Sequence, residues 1–183
     1  MNVEQAHELA RSLLEDPLPR RWAHSQGVAA AASALLSVLE LDGETLVQAA
    51  VLHDIGYSPA INTTGFHPLD GARHLREQGQ TDDLVVRLVA NHSFALLEAE
   101  ERGLRGELES EFPLPEQAGL VDALVYCDMT TTPDGARTTS GERISEILSR
   151  YGADSVVGRF IRRAEPGIRA AVGRVEERVA RHR

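Results

Sequence analysis

Apolar residues return at helical spacing along almost the whole chain, and no stretch sustains an alternation of period two. Residues 3–15 carry Leu9, Leu13 and Leu14 on one stripe, which Pro17 and Pro19 end. In residues 20–40, His24, Val28, Ala31, Ala32, Leu35 and Leu39 share a face until Asp42-Gly43 breaks the pattern. Residues 44–55 resume it with Leu46, Ala49, Ala50 and His53, and Gly56 reads as the C-cap. An irregular loop is expected at 57–66 and helices at 68–78 and 82–92, separated by Gly79, with Thr81 or Asp82 as the cap of the second. Helical character continues over 93–102, and Gly and Pro break 103–115. Helices return at 116–129, 140–150 and 154–182, the last with a weak break at Pro166-Gly167. The spacing therefore predicts an all-α, single-domain helical bundle over residues 1–183, with packing helices from about 140 onward.

Several function classes are disfavoured by composition. The formal net charge is −9 and every one of the 19 basic residues is Arg. Such a chain repels nucleic acid unless a basic patch is present, and none stands out. An anionic substrate would need a cation supplied locally. The single cysteine, Cys127, excludes an intramolecular disulfide and a zinc thiolate cluster. The N-terminal stretch is acidic and amphipathic, not basic then apolar, and no apolar run approaches the roughly 20 residues that span a bilayer. The expected location is cytoplasmic, with no membrane or nucleic-acid partner. Oligomeric state is not legible.

Polar residues sit where apolar ones belong. His24, His53, His92 and Asp128 each occupy the apolar stripe of a different predicted helix. A hydrogen bond can absorb one buried imidazole or carboxylate, but four facing inward call for a shared partner, and a metal ion is the economical one. Asp54 adjoins His53 at a helix end, where both can reach one ion. Neutral imidazoles with carboxylates suit Mn²⁺, Fe²⁺, Co²⁺ or Zn²⁺, as one ion or two.

The order of these residues resembles the H…HD…D signature of the HD superfamily. His24 is followed by His53-Asp54-Ile55-Gly56 and then by Asp128. Gly65 to Ala72, Asn91-His92-Ser93 and Cys127 to Thr131 extend the likeness across roughly residues 20–150. The resemblance implies that His24, His53, Asp54 and Asp128 ligate a first metal. It makes His67 and His92 candidates for a second metal or for substrate, with Asp54 bridging. The doubled His-His of the cyclic-dinucleotide phosphodiesterase branch is absent, as is the Glu that follows the HD pair in some family nucleotidases; Tyr57 and Ser58 stand there.

It further implies a metal-dependent phosphohydrolase that cleaves a phosphoester or phosphoanhydride bond, in which Asp54 orients an activated water. The substrate would be a small phosphorylated molecule, a nucleotide being the class implied, and Arg20, Arg21 and Arg73 are candidate phosphate contacts. Two other readings remain open: a di-iron oxygenase of the same superfamily, and a non-catalytic nucleotide sensor. No histidine is placed to serve a Ser or Cys nucleophile, and no phosphate-cradling Gly-rich loop is present.

Overall fold

The computed structural model describes residues 1–182. Among them are ten α-helices and no named strand; one isolated antiparallel bridge pairs Thr131 with Arg137. The helices are α1 (Val3–Leu14), α2 (Pro19–Leu36), α3 (Gly43–Leu52), α4 (His67–Gln78), α5 (Asp83–Asn91), α6 (Ala95–Arg102), α7 (Arg105–Glu111), α8 (Ala118–Met129), α9 (Ser140–Tyr151) and α10 (Val156–Arg181). Single 3-10 turns at Ile55–Tyr57 and His92–Phe94 follow α3 and α5.

Every residue of α3 from Thr45 to Leu52 is buried. A helix buried on every side lies at the centre of a bundle. It packs against α1, α2, α5 and α8, and so delivers His53 and Asp54 into the middle of the protein. Asp42 caps this helix, accepting from the Thr45 N–H at 3.2 Å, so the Asp42-Gly43 break is also a start signal. Asp82 caps α5 in the same way, and Gly79 ends α4 in the left-handed conformation. A second apolar cluster joins Val125 and Met129 of α8 to Ile144 and Ile147 of α9 and to Phe160, Ile161, Ile168 and Val172 of α10. No helix is long and apolar enough to cross a membrane among the described residues.

Three local expectations are corrected. Gly56 is not a left-handed C-cap: α3 ends at Leu52, its cap His53 stays right-handed, and Gly56 lies inside the following 3-10 turn. Residues 105–111 form a helix despite Gly106, because Leu108 and Phe112 are anchored in the core and Arg105 pairs with Glu109 at 2.8 Å. The last helix runs through Pro166-Gly167. Ala164, Ile168, Ala171 and Val172 hold it to the second cluster on both sides of the proline, and Gly167 lies under the Phe94 ring.

Candidate metal centre

Three elements converge on one buried point. His24 comes from α2, His53 and Asp54 from the end of α3, and Asp128 from the last turn of α8. Each is 7% exposed or less. His24 Nε2 lies 3.1 Å from Asp128 Oδ1, while His53 Nε2 lies 3.4 Å from Asp54 Oδ2 and 3.9 Å from Asp128 Oδ1. The imidazoles of His24 and His53 are edge-on, with centroids 5.3 Å apart.

Backbone acceptors orient the rings. The Nδ1 of His24 faces the Thr132 carbonyl at 2.9 Å, that of His53 the Ala50 carbonyl at 2.7 Å, and that of His92 the Val89 carbonyl at 2.7 Å. A carbonyl oxygen only accepts, so each Nδ1 carries its hydrogen and donates. In the neutral ring the Nε2 lone pair then points inward, the usual arrangement for a metal-ligating histidine. His53 Nε2 is buried with no hydrogen-bond partner. Such an orphan costs on the order of 1–3 kcal/mol unless something occupies the position it faces.

A second set adjoins the first. His67, at the start of α4, places Nε2 at 3.4 Å from Asp54 Oδ1 and 3.1 Å from His92 Nε2. Asp54 thus turns one carboxylate oxygen toward His53 and His24 and the other toward His67. The donor atoms of His24, His53 and Asp128 form one group close enough to hold an ion, and those of Asp54, His67 and His92 form another. With Asp54 between them, the residues fit one divalent cation or two.

Charge supports the fit. Burial alone would raise the Asp54 carboxyl, but Arg21, His53 and His67 outweigh it and hold it well below the usual range. Asp128 is likewise depressed against the effect of burial, by His24, His53 and Arg143. Burial pulls His53 toward neutrality, yet Asp54 and Asp128 raise it to about 8. Both carboxylates therefore favour positive charge where the His53 Nε2 points. His67 and His92 are pushed below the ordinary imidazole range, chiefly by burial.

The candidate cations separate. Arg21 donates through Nη1 to Asp54 Oδ2 at 2.8 Å and lies over the Tyr57 ring at 3.9 Å, while Tyr57 stacks on His67 with centroids 3.9 Å apart. Arg20 pairs at the surface with Asp134 at 2.7 Å. Arg73 pairs with Glu107 and Glu111 between α4 and α7, away from the cleft. We expect Arg73→Ala to leave metal content and turnover unchanged; a loss of either would put α7 into the site. Cys127 is buried, which pushes its thiol up to about 12, in keeping with a packing role.

Several site residues carry no signal of their own in the sequence. Ser93 donates its hydroxyl to Asp128 Oδ2. It does so from a left-handed backbone, φ +48°, and Phe94 follows at φ +65°. Two such residues cost on the order of 1–3 kcal/mol each. The reversal they make between α5 and α6 brings His92 and Ser93 to the same centre. Ser93→Ala should weaken metal affinity by about 10–100-fold, the usual loss when a ligand's supporting hydrogen bond goes. Unchanged affinity by metal titration would reduce Ser93 to a turn residue.

A cleft opens above the centre, with a cavity volume of about 80 Å³. Arg143 and Arg150 of α9 also line it, as do Glu98, Tyr151, Phe160 and Ile161. Glu98 is buried, which raises its carboxyl, and it pairs with Arg102 at 2.7 Å.

The HD domain family model matches residues 21–129, the segment that contributes every histidine and aspartate of the centre. Ribonuclease Y of Rhodopirellula baltica is 28% identical over 137 residues, which cover 75% of this chain and 22% of that protein. The chain thus spans about a fifth of the length of this curated relative. No solved structure matches the chain.

Proposed function

The chain belongs to the HD domain family, and on that premise we propose that it is a metal-dependent phosphohydrolase releasing phosphate from a small phosphorylated molecule, a nucleotide being the substrate class. One observation carries this reading. The Nε2 atoms of His24 and His53, each ring locked through Nδ1 by a backbone carbonyl, face the carboxylates of Asp54 and Asp128, and His53 Nε2 has no hydrogen-bond partner.

The reaction is R–O–PO₃²⁻ + H₂O → R–OH + HPO₄²⁻: water oxygen bonds to phosphorus, the ester P–O bond breaks, and the departing alkoxide is protonated. A divalent cation held by these residues supplies the Lewis acidity that makes water a nucleophile near neutral pH and offsets charge on the phosphoryl oxygens. Asp54, kept ionised by Arg21, accepts the hydrogen bond of the attacking water and so aims its oxygen. Tyr57 lies against both the Arg21 guanidinium and the stacked His67 ring and so helps to position each. The Ser93 hydroxyl fixes the Asp128 carboxylate. The burial of every donor favours a small molecule over the interior of a polymer. The net charge of −9 weighs the same way, even though the relative is named a ribonuclease.

Phosphate release from nucleotides and simple phosphate esters tests this, with the chelated protein reloaded in turn with Mn²⁺, Fe²⁺, Co²⁺, Mg²⁺ and Zn²⁺ and a short RNA included. Turnover of small molecules that returns with metal is the expected result. Cleavage of the RNA alone would overturn the substrate class. Metal binding with no turnover of any substrate would overturn the hydrolase reading, in favour of the oxygenase or the sensor.

A further inference from the structure

Arg143 lies outside the segment that matches the family, on α9, and its side chain is 6% exposed. It lines the same cleft as His24, His92 and Asp128. Burying a guanidinium is costly unless its donors are met. Here one nitrogen reaches Glu146, and Nε is buried with no hydrogen-bond partner. Glu146 is itself about a third exposed and is shared with Arg150, whose Nε lies 3.3 Å away. Two arginines on one carboxylate leave a net positive charge on the wall of α9. Arg21 supplies another cation from α2, at the Asp54 side. Beside them Ile147, Val157, Phe160 and Ile161 form an apolar stretch of the wall, with Tyr151 exposed at 39%, while Glu98, paired with Arg102, adds one carboxyl.

We propose that Arg143 binds the phosphoryl oxygens of the substrate and that Tyr151 and the apolar wall beside it seat the ester group, which makes the substrate a terminal phosphate on a group with an apolar or aromatic face. The substrate half of this rests on the phosphohydrolase reading; the anion site does not. A guanidinium presents paired N–H donors that match phosphate geometry, and a buried one loses less to solvent than a surface lysine would. Two arginines at opposite sides of the metal centre suit a dianionic monoester better than a singly charged diester. The site also accounts for how a chain of net charge −9 holds an anion: Arg21, Arg143 and Arg150 line the cleft with Asp54, Glu98 and Asp128, whose charge a bound divalent cation would offset.

The test measures inorganic phosphate binding by calorimetry to the metal-loaded protein, and turnover of p-nitrophenyl phosphate and bis(p-nitrophenyl) phosphate. Arg143→Met should weaken phosphate binding by about 10–100-fold, the worth of a charge-assisted hydrogen bond, with metal content unchanged. Arg143→Lys should fall between the two. Tyr151→Ala should raise KM for p-nitrophenyl phosphate by up to about tenfold and leave inorganic phosphate affinity alone. Equal phosphate affinity in Arg143→Met overturns the assignment while leaving the hydrolase reading intact. Wild-type protein that binds phosphate through Arg143 but turns nothing over upholds the anion site and removes the hydrolase. If Arg143→Met loses its metal, Arg143→Lys decides: metal retained with intermediate phosphate affinity upholds the site, and metal lost again makes Arg143 structural and overturns it. A diester hydrolysed as fast as the monoester overturns the terminal-phosphate class.

Discussion

Asp54→Asn should lower kcat by on the order of 10³-fold, the scale of removing a charged group that acts on the attacking water. The substitution keeps the shape and removes the charge. Among the described residues Asp54 is the only carboxylate whose two oxygens face different histidine sets, one toward His53 and His24 and the other toward His67. It is also the partner of Arg21. The amide would leave that partly buried guanidinium without its anion and would turn an NH₂ toward one of the histidine sets. Metal analysis separates the causes. If the metal stays and turnover goes, Asp54 acts on the water; if both go, it acts chiefly as a ligand. Turnover within a few-fold of wild type would remove Asp54 from the mechanism.

Gly56→Ala should cost about 3 kcal/mol or more of stability, as overpacking against rigid neighbours does, and lower Tm by about 6–12 °C for a chain of this size. A Cβ there would stand 2.0 Å from the His67 carbonyl oxygen and 2.6 Å from the Gly71 N–H nitrogen. Both are backbone atoms of α4 and neither can rotate away. Gly56 has no positive φ, so the demand is for space and not for an unusual conformation. The start of α4 therefore rests directly on the turn after Asp54, and this contact sets His67 at 3.4 Å from Asp54 Oδ1. The variant should lose the His67 side of the centre before the His24 side. A thermal melt within roughly 2 °C of wild type would mean that α4 is not clamped there.

Why His24, His53, His92 and Asp128 were legible is a matter of period. Each breaks an apolar stripe at a core position, and burial of an uncompensated polar group is costly whatever the partner helix is. Arg20 and Arg21 were not separable in this way. They precede His24 by four and three positions, so both border its face, and only the turn after α3 decides that Arg21 meets Asp54 while Arg20 finds Asp134. Arg73 follows His67 by six positions, which turns it to the other side of α4, and it pairs there with α7. Arg143 did leave a trace. With Ile147 and Arg150 it forms an i, i+4, i+7 stripe, the same kind of interruption that marks the histidines. The Gly56 misreading has a physical source as well: a glycine after a helix signals either a left-handed cap or a close approach, and the chain alone does not say which.

The sequence by itself determined most of the helices and the inward places of His24, His53, His92 and Asp128, because period and burial cost are local properties of a chain. Tertiary structure decided what those residues meet. His24 and Asp128 are 104 positions apart, and Ser93 and Asp128 are 35 apart. The tautomers follow from carbonyls of Thr132, Ala50 and Val89, the first of which is 108 positions from its histidine. Contacts at such separations depend on which face of each helix packs against which neighbour. That choice is made by the fit of whole surfaces in the core, and no window of the sequence contains it.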